Sequence, residues 1–249
     1  MGDLARYRTQ MGHAATTMLG VDGARTELRE GWWLALTGLP SADMNVALMH
    51  EADELALAEV IRNVEDLGAP TLLMLAGDAE RLADRLPAPW TAVGAMPIMA
   101  VDPADAPTTS DPRARRAEPA DAEAVTGLVS DAFGMDFQHV EPVVVRVLGE
   151  DLAAAFWLLE EDGEPVSTVL AARVEDTVSL WCMATPPRFA RRGHGRALLA
   201  AVLNWAAEDG AKIGLLGATP AGEPLYRATG WKVIEEWNIH LNAESVQFS

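Results

Sequence analysis

The stretch "FARRGHGRALLAAVLNWAAEDGA" (189–211) sets Arg191, Arg192, Gly193, His194, Gly195 and Arg196 directly ahead of a helical apolar pattern, Leu198, Leu199, Val202 and Leu203. A helix start exposes main-chain N–H groups that have no intrahelical acceptor, and it carries the positive end of the helix dipole. Glycines at that place let the backbone come close to an anion. The arginines, with Arg188 just upstream, concentrate positive charge in a chain whose formal net charge is -18. The chemistry such a cluster suits is the holding of a phosphate or diphosphate. A dinucleotide site would need G-x-G-x-x-G spacing followed by a ribose-binding acid, and a nucleoside triphosphate site would need G-K-[ST]; this stretch has neither.

One further residue type could take part in chemistry. Cys182 is the chain's single cysteine, so it forms no internal disulfide and cannot complete a zinc site alone; without a paired histidine it reads as a small strand residue. No metal is expected.

Positioning these groups takes a mixed α/β framework. Two segments separated by "DPADAPTTSDP" (102–112) each read as helices and strands, which places the expected boundary between domains 1–112 and 113–249. The second reads as two helices, a three-stranded meander turning at Asp162-Gly163 and around Glu175-Asp176, the glycine loop, a helix, a strand, a short helix and a closing strand. The first repeats the later part of that order: Leu57, Val60, Ile61 and Val64 mark a helix that stops at Gly68, as the other stops at Gly210. A buried-type strand, a short helix, a tryptophan (Trp90 or Trp231) and a closing strand follow in each. In this alignment Gly193 and Gly195 face Glu51 and Asp53, and Tyr226 faces Asp84. Trp32 and Trp33 read as core residues of the first half.

Composition bounds the partners. Both halves are acidic, which argues against nucleic acid. Apolar runs such as 32–36 and 166–173 fall far short of the roughly 20 residues a membrane-spanning helix needs, and the charged N-terminus lacks an export signal, so a cytoplasmic location is expected. The sequence leaves self-association open.

With the preceding strands, "MATPPRFARRGHGRALL" and "PAGEPLYRATGWKV" resemble the GNAT superfamily of N-acetyltransferases over residues 113–243. The resemblance implies a GNAT-like acyl-CoA N-acyltransferase fold, and the repeat then makes residues 1–112 a degenerate first copy in tandem, expected to bind no coenzyme because Glu51 and Asp53 would repel a diphosphate. It implies acetyl-CoA as co-substrate and an amine of a small molecule or peptide as acceptor. The family's [Q/R]-x-x-G-x-[G/A] loop falls on 190–195, with Ala190 where the family has Gln or Arg. A register from Arg192 to Ala197 also satisfies the pattern; the first is preferred because it sets Pro187 where such loops carry proline. By the same resemblance the strand end Met183, Ala184 and Thr185 faces the coenzyme, main-chain N–H groups of Met183 and Thr185 included, and Tyr226 serves as general acid. The glutamate that histone-type relatives use as base falls near Ser179, leaving a water relay, Asp176 or Glu175 as candidates. His194 is assigned to anion contact or to exposure, and His139 to an exposed position near the acceptor side. A non-catalytic acyl-CoA sensor is the alternative reading.

Overall fold

The computed structural model describes residues 4–106 and 109–243, so Pro107 and Thr108 of the expected linker lie outside the described residues. In chain order the first elements are α1 (Leu4–Met18), β1 (Arg25–Arg29), β2 (Trp32–Leu36), β3 (Asn45–Met49), α2 (Glu54–Leu67), β4 (Leu72–Leu75) and β5 (Thr91–Val101). There follow β6 (Ala114–Arg116), α3 (Ala122–Phe133), α4 (Phe137–Gly149), β7 (Ala154–Glu161), β8 (Glu164–Val174), β9 (Thr177–Ala184), α5 (His194–Glu208), β10 (Ile213–Gly217), α6 (Glu223–Ala228) and β11 (Lys232–Leu241). The fold is mixed α/β, and the chain forms two compact units: Met1–Pro97 with Glu235–Ser249, and Ile98–Ile234.

The first unit orders its strands β1-β2-β3-β4-β11. β1/β2 and β2/β3 are antiparallel, β3/β4 are parallel across α2, and β4 pairs antiparallel with residues 238–241 of β11. β2 is buried at every position because both of its faces are covered, the environment that selects an unbroken apolar run. Trp33 lies against α1, so closely that a Cβ on Gly12 would come 2.5 Å from its ring. On the other face Trp32, Leu34 and Leu36 pack with Leu57, Val60 and Val64 of α2. Both tryptophans belong to the core, 5% and 1% exposed. α2 ends on Gly68 at φ 70°, a left-handed position that glycine takes without a Cβ penalty. A buried ion pair joins Arg8 of α1 to Glu235 of β11, with side chains 12% and 10% exposed. The indole N–H of Trp237 also donates to Glu235, at 2.8 Å.

The second unit orders its strands β6-β7-β8-β9-β10-β5. Asp162 and Gly163 join β7 to β8 with φ 52° and 81°, a two-residue turn whose twist matches that of the flanking strands. Glu175 and Asp176 join β8 to β9. α3 and α5 both pack on β8 and β9. Trp205 of α5 lies 5.3 Å, centroid to centroid, from Trp157 of β7 and marks the sheet face that α5 covers.

The division differs from the one expected after Pro112, and the reason is strand pairing. Residues 98–101 of β5 pair with β10, and just beyond them Pro103 and Ala106 are buried. Neither half closes on its own last strand. β5 enters the second unit from Ile98, and β11 enters the first from Glu235.

Candidate active site

β9 and β10 pair in parallel only at Thr177↔Ile213, Val178↔Gly214 and Ser179↔Leu215. Past Ser179, β9 stays with β8, while Leu216 and Gly217 stay with Met99 and Ile98 of β5. The two parallel strands therefore part at their C-terminal ends. Within that stretch the β8–β9 register jumps from Leu170↔Trp181 to Thr168↔Ala184, so Cys182 and Met183 stand opposite Val169 alone. Cys182 has φ 48°, and a bulge of this kind bends the strand and re-aims its side chains. The Ser167 hydroxyl donates to Ala184 O at 2.9 Å and lies 2.8 Å from Thr185 Oγ1, which fixes the strand end.

From Ala184 the chain passes through a 3-10 turn at Pro187–Phe189 to Arg191 (φ 63°) and Gly193 (φ 85°). Gly193 is the N-cap of α5 and supplies no side-chain cap, so the first N–H groups of α5 have no capping side chain. A Cβ on Gly195 would sit 3.4 Å from Thr185 Oγ1 and 3.5 Å from both Leu225 Cδ2 and Met183 Cε. The loop, the end of β9 and α6 thus converge on one small space. Arg191, Arg192 and Arg196 are exposed. The Arg192 guanidinium is 3.9 Å from Glu161, and Arg188 is ion-paired with Asp131 and lies 4.7 Å from the Phe189 ring.

His194 differs from the sequence expectation. Its side chain is 3% exposed and turned inward, with Nε2 3.4 Å from Glu161 Oε2, because the first turn of α5 directs it onto the end of β7. It can offer an anion its main-chain N–H, and its imidazole is directed elsewhere.

These residues fit a diphosphate. The helix start is uncapped, a Cβ at Gly195 would fill the cradle, and Arg191, Arg192 and Arg196 of the same segment are exposed. Among the described residues no group of three or more His, Cys, Asp or Glu could hold a metal ion.

Tyr226 lies on α6, 6% exposed, with its ring 5.8 Å from that of Trp231. Burial pushes its pKa up to about 12. Gly222 is the residue that makes room for it, since a Cβ there would come 3.0 Å from Tyr226 Cε2. Ser179 is 2% exposed and accepts the Trp181 indole N–H at 2.8 Å, so the position near which a base is expected holds a committed hydroxyl. Glu175 and Asp176 sit at the opposite end of β9. Seven residues at ~3.3 Å each separate Asp176 from Met183, about 23 Å, too far for direct proton transfer. His139 is partly buried in the first turn of α4.

The places in the first unit that the sequence alignment of the halves sets opposite this loop are built differently. Asp53 is the N-cap of α2, and its carboxylate already accepts from the N–H groups of Leu55 and Ala56. β3 and β4 stay paired through Met49↔Leu75, with Ala76 N–H donating to Met49 O, so these strands do not part. Beyond them Arg8 fills the space beside Gly77, where a Cβ would come 2.7 Å from its guanidinium. Asp84, opposite Tyr226 in the repeat alignment, is exposed on a 3-10 segment.

Comparison with known proteins agrees with the geometry of the second unit. The solved structure of a GCN5-related N-acetyltransferase from Kribbella flavida superposes with TM-score 0.69 at 18% identity, covering 96% of each chain. A Novosphingobium aromaticivorans protein described as belonging to the GNAT family gives TM-score 0.65 at 14% identity, covering 98% of this chain and 100% of that one. A GCN5-related N-acetyltransferase from Sphaerobacter thermophilus gives 0.58 at 14%, covering 99% and 96%. These likenesses establish a shared fold. Among curated proteins no sequence match is found. The family model described as acetyltransferase (GNAT) family matches residues 122–231, which span α3, both parting strands, the glycine loop and Tyr226. Residues 122–231 of this chain are therefore similar in sequence to the GNAT acetyltransferase family, on a fold shared with solved GNAT structures.

Proposed function

We propose that the protein transfers the acetyl group of acetyl-CoA to a primary amine of a small molecule or peptide by direct attack with both substrates bound. The observation that carries this reading is the contrast between two helix starts. α5 begins uncapped beside strands that part, whereas α2 is capped by Asp53 beside strands that stay joined. A diphosphate gains main-chain donors at α5 and meets a carboxylate at α2. The first unit accordingly binds no coenzyme, and the second carries the reaction.

In this reading the N–H groups of Gly193, His194 and Gly195, together with Arg191, Arg192 and Arg196, hold the diphosphate. Met183, Ala184 and Thr185 line the thioester arm. The co-substrate supplies an activated acetyl group. As the amine nitrogen bonds to the acetyl carbon and the carbon–sulfur bond breaks, Tyr226 gives its proton to the departing sulfur, and the nitrogen loses a proton to water. Burial keeps this phenol protonated at neutral pH, with its pKa pushed up to about 12, and makes it a weaker acid than a free tyrosine, so its role is to meet a thiolate basic enough to take the proton. In this reading the main-chain N–H groups of Met183 and Thr185 face the thioester, one of them near the developing oxyanion.

The committed Ser179 hydroxyl favours a second reading, an acyl-CoA sensor that binds without turnover. Calorimetry with acetyl-CoA and thiol-release assays over a panel of amines separate the two. The transferase reading expects binding, amine-dependent thiol release, and a fall in turnover of roughly 10²-fold or more in Tyr226→Phe with coenzyme affinity kept. Binding without release for any amine supports the sensor, and absence of binding removes both.

A further inference from the structure

We propose that Trp181 selects the acceptor, and that the acceptor is a primary amine carried on a flat apolar group such as an aryl ring; this rests on reading the gap between β9 and β10 as the acetyl-transfer site. Trp181 is an aromatic residue in the part of β9 that has left β10, and it immediately precedes the bulge at Cys182 and Met183. It is partly exposed, whereas 177–180 before it are buried.

Its side of the sheet follows from register. Trp181 pairs with Leu170 and Ser179 with Ala172, two alternate positions of β8, so both side chains stand on one face. The bond from the Trp181 indole N–H to Ser179 Oγ, 2.8 Å, agrees. Met183 reaches the other face, where its Cε lies beside Gly195 at the start of α5. The glycine loop and Trp181 therefore flank the same gap from opposite sides. A thioester arm held on the α5 side and passing through the gap meets the indole where it emerges.

What the indole offers there is apolar area. Its one donor is already satisfied by Ser179, leaving a ring held in a single orientation with no polar group to present. The acids of the β8–β9 turn lie about five residues back along the strand, ~16 Å away, so they fix no cation beside it. A flat apolar substituent gains contact area and offset stacking against such a ring, while a short polar amine gains neither.

The test is calorimetric titration of 2-phenylethylamine and of ethylamine into the full chain saturated with coenzyme A, for wild type, Trp181→Ala and Trp181→Phe. Wild type is expected to bind the aryl amine about tenfold more tightly than ethylamine, a difference of ~1.4 kcal/mol. Trp181→Ala brings the preference below about twofold while leaving coenzyme affinity intact, which also shows that the variant is folded, and Trp181→Phe retains it. Equal binding of the two amines by wild type, absence of aryl-amine binding at millimolar concentration, or an undiminished preference in Trp181→Ala would each overturn the proposal. Failure of wild type to bind coenzyme A is the distinguishable case in which the acetyl-transfer reading falls first.

Discussion

Replacing Gly195 with alanine is expected to keep the chain folded while removing most of its coenzyme affinity. The new methyl would lie 3.4 to 3.5 Å from Thr185 Oγ1, Leu225 Cδ2 and Met183 Cε, ordinary contact distances that demand no movement of the protein. Gly195 is the second residue of α5, where alanine is the better helix former by up to about 1 kcal/mol. For a chain of this size that corresponds to a rise in Tm of ~2–4 °C. The same methyl fills the cradle through which a diphosphate would reach the first N–H groups of α5. Losing one hydrogen bond to a charged group costs about 1.5–3 kcal/mol, so Kd for acetyl-CoA should rise roughly 10- to 150-fold. Scanning fluorimetry reads the first effect and isothermal calorimetry the second. A variant with unchanged or raised Tm and a Kd within about twofold of wild type would refute the assignment of the loop, because the only obstacle introduced lies on the inferred ligand path. A variant that loses Tm would refute the claim that the space is open.

Arg8→Ala leaves the Glu235 carboxylate buried without its cation, and a loss of about 3–5 kcal/mol in urea unfolding is expected; a loss below ~1 kcal/mol would show that the pair contributes little to holding β11 in the first unit. His50 is held below its ordinary value by burial and then by the charge of Arg8, and burial likewise lowers His240. The unfolded chain then binds more protons than the folded one below pH ~6.5, so their contribution to stability is complete above that pH and is lost as pH falls toward the depressed folded values. Urea midpoints measured from pH 8 down to 5.5 should fall, and His50→Gln should flatten the slope; a midpoint rising on acidification would contradict the sign.

Local features of this fold are legible in the amino-acid order. α2 and α5 announce themselves by apolar spacing and by glycines at 68 and 210, both with positive φ. Asp162-Gly163 dictates a hairpin, and Trp32 and Trp33 belong to a run that only a doubly covered strand can hide. Asp53 is legible as a charge opposed to an anion; that it also consumes the amides of Leu55 and Ala56 is visible only in the folded cap. Composition marks the proline-rich segment, whereas the compact units divide at Pro97 and Ile98, because strand pairing rather than composition gathers contacts, and Pro103 and Ala106 just beyond are buried. The inward turn of His194 depends on Glu161, and the place of Trp181 past the end of the β9–β10 pairing depends on β10, neither of which neighbours them in the chain.

The sequence by itself determined the glycine- and arginine-bearing loop and the helix start it forms, since Arg191 to Arg196 and the helix they open are one continuous segment whose backbone preferences need no distant partner. Tertiary structure alone decided where β9 and β10 part, why β3 and β4 do not, and which unit receives β5 and β11. Those outcomes are set by hydrogen bonding between strands far apart in the chain, where many pairings are locally acceptable and only the packed whole selects one.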